Sequence, residues 1–159
     1  MRKTYFLFIV IVAVSTINTI LGMSQQTSLA HLLIQIKAVK RTWDEERVRI
    51  QIAKKASPVL YQKISPLFEK IIASTDFNNK MNTAVDEQVE AIANQGKTFK
   101  SVKKDIALSD FFTTPMHQYG QTLFAAMANK AYAFLLGQKL VEKIKEIQQQ
   151  QQESSTSSL

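Results

Sequence analysis

The chain has 159 residues, with 20 basic against 13 acidic side chains for a net charge of +7, and it contains no cysteine, four glycines and three prolines. No disulfide framework and no thiolate zinc site can form, and so little turn chemistry excludes a hairpin-rich β fold. The basic residues are dispersed rather than gathered into the patch that a nucleic-acid binder needs; they fit a solvated surface with some attraction to anionic ligands and transient contact with anionic membrane surfaces.

The chain opens on Met1, Arg2 and Lys3, followed by an apolar run from Tyr5 to Val14. A short basic region, an apolar stretch too brief for a membrane span, and then small and polar residues read as a secretory signal peptide over residues 1–23. Cleavage is expected near Gly22 to Ser24, which makes the protein secreted and extracellular. Loss of Arg2 and Lys3 leaves 18 basic against 13 acidic residues and a net charge of +5. Residues 24–147 then supply one helical domain large enough to bury its own core.

A first helix is predicted from Ser28, with Leu29, Leu32, Leu33, Ile36 and Val39 on one face and Lys37, Lys40 and Arg41 toward its C-terminal end. Thr42-Trp43-Asp44-Glu45 reads as a capping box that starts a new helix carrying Val48, Ile52 and Ala53 inward and placing Glu45 and Glu46 on an exposed first turn. Ser57-Pro58 is a further start signal, N-cap then proline at the first helical position. Leu60, Ile64, Leu67, Phe68, Ile71 and Ile72 follow at helical spacing, with Pro66 marking either a kink or a second start. Asp76 is the next cap candidate, and Phe77, Met81, Ala84, Val85, Gln88, Val89 and Ile92 trace a face up to Gly96, suited to a left-handed C′ position.

From Ser109 to Gly137 the chain concentrates its aromatic residues. Ser109-Asp110 and Thr114-Pro115 are start signals, and Met116, Tyr119, Leu123, Met127, Ala131 and Phe134 step at three and four. Gln118, Gln121, Asn129 and Lys130 interrupt the segment, which therefore fits enclosure by other helices better than a membrane span. Leu140, Val141, Ile144 and Ile147 continue as an amphipathic surface helix. Residues 148–159, rich in Gln and Ser, have nothing to bury and are predicted to form a disordered tail. The predicted fold is all-α: a compact single domain of five to eight helices with the apolar C-terminal helix at its centre.

Catalytic chemistry is not legible. His31 and His117 each stand alone, without a neighbouring carboxylate or a second ligand at metal spacing, and there is no nucleophile motif, phosphate loop or dinucleotide turn. The sequence implies no enzyme, no cofactor and no metal.

The run Ala56 to Ile64, with Ser57-Pro58, Leu60-Tyr61 and Lys63, resembles the Ser-Pro-x-Leu-Tyr-x-Lys stretch of the nematode fatty-acid and retinol-binding proteins, with looser similarity from Trp43 to about Gln95. That family is secreted, free of cysteine and wholly helical, and the resemblance implies a carrier holding fatty acids or retinoids in an apolar cavity. No residue contacts are carried over from it; the cavity wall is read from the aromatic stripe itself. Phe111, Phe112, Tyr119, Leu123, Phe124, Met127 and Phe134 are the candidate wall, with Lys130 placed to meet a carboxylate. The same stripe also reads as the filled core of a secreted protein-interaction module.

Overall fold

The computed structural model describes residues 23–100 and 118–157. They form four helices: α1 (Met23–Ala56), α2 (Pro58–Ile72), α3 (Thr75–Ala93) and α4 (Gln118–Thr156). The protein is all-helical, with no strand among the described residues. The sequence predicted five to eight helices; the described residues make four, chiefly because α1 is one helix where two were expected. The expected signal segment lies outside the described residues, apart from Met23, the first residue of α1, and so do the start signals at Ser109 and Thr114. No helix of the described residues is long and apolar enough to cross a membrane.

The unbroken α1 has a simple cause. Nothing between Val39 and Val48 is glycine or proline, so no residue forces an end at Thr42, and the capping box goes unused. Its acids instead make pairs along the helix, Asp44 with Lys40 at 3.0 Å and Glu45 with Arg41 at 2.9 Å, a spacing that supports a continuous helix. The inward row then runs Leu29, Leu32, Ile36, Val39, Trp43, Glu46, Ile50 and Ala53, in alternating steps of three and four. Val48 and Ile52, expected to point inward, lie on the outside at 46% and 60% exposure, and Glu46, expected in solvent, is buried at 3%.

Helix α4 answers this row in the opposite direction. Leu29 to Val39 pack with Tyr132, Ala133, Leu136, Leu140 and Ile144, whereas Ile50 and Ala53 pack with Leu123 and Met127, so the two helices are antiparallel. Small residues on α4, Ala126, Ala133 and Gly137, are buried and allow close approach. At about 50 Å for the 34 residues of α1, this pairing is the spine of the fold. Full burial of each Leu or Ile in it is worth roughly 1.5–3 kcal/mol.

Helices α2 and α3 cover this spine. Ser57 caps α2 by position, with proline next to it, although its side chain makes no capping bond. The helix runs unbroken through Pro66, which cannot donate to the carbonyl of Gln62. Ser74, not Asp76, is the N-cap of α3: its hydroxyl accepts from the Phe77 amide at 3.3 Å. Phe77, Met81, Val85 and Ile92 are buried as their spacing predicted. Tyr132 donates to Gln88 Oε1 at 2.9 Å, and Lys139 pairs with Asp86, tying α3 to α4. Gly96 takes a left-handed φ of +63°, as expected, and Lys97 then bonds back to the Ala91 carbonyl at 3.0 Å.

The Gln-rich tail, predicted to be disordered, is helical through Thr156. Glutamine is a fair helix former, and extending a helix already held by packing avoids the unfavourable nucleation step. Nearly every residue from Gln149 to Ser157 is exposed, so the helical state of this stretch contributes little to the core. Deleting residues 149–159 is expected to leave the melting temperature unchanged within error; a drop of several degrees by calorimetry would show that the tail docks on the spine.

Candidate functional site

The candidate wall residues separate into groups. Leu123, Phe124 and Met127 sit on the inward side of α4 and are all buried. They meet α2: Leu123 and Met127 pack with Ile64, with Leu60, Tyr61 and Phe68 half-buried around them. Phe124 is fully buried, its ring edge-on to Phe68 with centroids 5.2 Å apart, an arrangement that aromatic quadrupoles favour. The spacing of Leu123, Phe124 and Met127 brings them to one volume, and among the described residues that volume is occupied by their own side chains, those of α2, and Ile50 and Ala53 of α1.

Phe134 does not join them. It lies on the outer side of α4, 46% exposed, because the buried row passes through Ala133 and leaves position 134 a hundred degrees further round. Lys130 points toward α1, where its ammonium lies 5.7 Å from the centroid of the Trp43 ring. The guanidinium of Arg47 approaches the same ring at 5.4 Å. Trp43 thus carries two cations, each gaining from the negative face of the indole. Tyr119 lies in the first turn of α4, and Phe111 and Phe112 fall outside the described residues.

A buried polar group lies near this ring in sequence. Glu46 accepts from Arg49 at 3.1 Å through Oε1, whereas its Oε2 is buried without a hydrogen-bond partner, as is Nε of Arg47. The sequence reading missed Glu46 because it restarted the helix at Thr42; carrying the step pattern of Leu29 to Val39 forward places it inward. Phe68 and Tyr61 were also absent from the predicted wall, although their spacing with Ile64 was visible.

Among the described residues no three His, Asp or Glu side chains are grouped to hold a metal ion. His31 places Nε2 3.0 Å from the Lys97 carbonyl, and the Phe99 amide donates to Gln35 Oε1 at 2.7 Å, so both anchor the chain beyond α3 against α1. A groove of about 480 Å³ opens beside this anchor, lined by Lys37, Ala38, Arg41, Thr42, Glu45 and Phe99. No protein-family model, no curated protein and no solved structure matches the chain.

Proposed function

We propose that this protein is a secreted helical lipid carrier, taking a fatty acyl or retinoid chain between α2 and the α1–α4 spine. The observation that supports this reading is how little of α2, among the described residues, is sealed over Leu123, Phe124 and Met127. Only Ile64 of α2 is fully buried; Leu60, Tyr61 and Phe68 are half-buried, and Val59 and Leu67 are exposed. A 15-residue helix weakened at Pro66 is the element whose displacement opens an apolar slot bordered by a flexible methionine. Entry requires α2 to move, because Phe68 and Phe124 are in contact. The resemblance at Ala56 to Ile64 falls on the start of this same helix.

Replacement of Phe124 by tryptophan is expected to weaken uptake of a fluorescent fatty acid or of retinol by filling the slot, at a stability cost of about 1–3 kcal/mol from overpacking. Saturable binding by the native protein that the substitution reduces supports the carrier. A native protein that takes up neither ligand, and yields no lipid on organic extraction, returns the chain to the second reading. That reading is an interaction module with a solid core, and the complete burial of Phe124 favours it.

A further inference from the structure

The outer face of α1 carries a pattern that neither the core nor the carrier reading uses. Ile34, Lys37, Arg41, Glu45, Val48, Ile52 and Lys55 share this face by helical periodicity, and all of them are exposed. Ile34 and Ile52 are each 60% open to solvent. The acid on this face, Glu45, is neutralised by Arg41 at 2.9 Å. Lys37 has no ion-pair partner among the described residues, and Lys54 and Lys55 close the helix with two more charges. The groove described above lies on this side. Lys37 and Arg41, one turn apart, border it together with Thr42 and Glu45, and Phe99 lines it too, its amide bonded to Gln35 while His31 holds the Lys97 carbonyl.

We propose that this face docks on anionic phospholipid bilayers, with the groove receiving a lipid phosphate between Lys37, Arg41 and Thr42. Charge complementarity selects the partner: the face carries three cations, Lys37, Arg41 and Lys55, against the single acid Glu45, with isolated aliphatic side chains between them. A straight helix exposing single aliphatics between cations offers a convex strip rather than the concave pocket in which a protein partner seats its anchors. Such a strip lies along a membrane interface, its aliphatic side chains entering the boundary and its cations meeting headgroup phosphates. Glu45 also lines the groove and pairs with Arg41, which leaves Lys37 as the unpaired cation there and the Arg41 guanidinium with further N–H donors to meet phosphate oxygens. This inference does not depend on the carrier reading.

The test is flotation of the full protein with phosphatidylcholine vesicles with and without phosphatidylserine. Association is expected only with the anionic vesicles and is expected to fall as salt is raised, because exposed charges are screened. The double substitution Lys37→Gln and Arg41→Gln is expected to weaken partitioning about 25-fold, from roughly five-fold for each cation near an anionic surface. Val48→Ser with Ile52→Ser is expected to weaken it through loss of aliphatic insertion, with circular dichroism unchanged in both variants because all four side chains are exposed. Equal flotation by the charge variant, or equal flotation with neutral vesicles, overturns the proposal. So does binding of soluble inorganic phosphate, read from Lys37 and Thr42 amide resonances, in a protein that floats with no vesicle, since the groove is then a free-anion site. Capture of polyglutamate without flotation overturns it as well.

Discussion

Replacing Phe124 by alanine is expected to lower stability by about 3–5 kcal/mol, the range for emptying a fully buried aromatic site. The ring is completely enclosed and edge-on to Phe68, so truncation removes both the aromatic contact and its dispersion partners on α2. Because α2 contributes one fully buried side chain, Ile64, the lost contact is also a large part of what holds that helix to the spine. The melting temperature is expected to fall by at least about 10 °C, and amide exchange in α2 to accelerate more than in α3. A loss below about 1 kcal/mol would show that the slot is already loose, and it would strengthen the carrier reading at the expense of the solid core.

The second large effect has the opposite sign. Replacing Glu46 by leucine is expected to stabilise the protein by about 1–3 kcal/mol, the penalty of a buried polar group left without a hydrogen bond. Glu46 occupies an inward position of α1 at 3% exposure, with one carboxylate oxygen lacking any partner. Its counterion Arg49 is half exposed, so removing the acid returns that cation to water rather than leaving it stranded. Urea denaturation should show a raised midpoint with an unchanged slope. A destabilised Glu46→Leu protein would mean that the orphan oxygen is satisfied in solution by a bound donor, and that Glu46 serves binding rather than tolerating its burial.

Most of the fold was legible from spacing alone, and one misread boundary explains much of what was not. The step pattern of α3, from Phe77 to Ile92, stands in the sequence as it does in the structure; Gly96 marks the turn that follows it, and only the cap differs, Ser74 in place of Asp76. In α1 the capping box at Thr42 was a sound local signal. It competed with the continuing row through Trp43, Ile50 and Ala53, and tertiary packing against α4 favoured continuity. Accepting the local signal moved Val48 and Ile52 inward and Glu46 outward, reversing their sides. The candidate site suffered in a related way. Leu123, Phe124 and Met127 were correctly grouped by helical spacing, but spacing cannot say whether facing side chains fill the volume; Phe68 does. Phe134 was assigned to the same strip because a helix apolar over most of its circumference gives periodicity several equally good phases, and the structure selects the phase through Ala133.

The antiparallel spine also governs when the protein can become itself. The partners Trp43 and Lys130, and the core residues that α1 and α4 share in one cluster, are separated in the chain by all of α2 and α3. Contacts between segments so far apart require closing a long loop before any stabilisation is gained, which slows folding relative to bundles of sequential neighbours. Synthesis at about 5–20 residues per second leaves the apolar row of α1 without α4 for several seconds. During that interval the leucines of α1 stay uncovered, so the half-made chain exposes an apolar row until its last helix arrives.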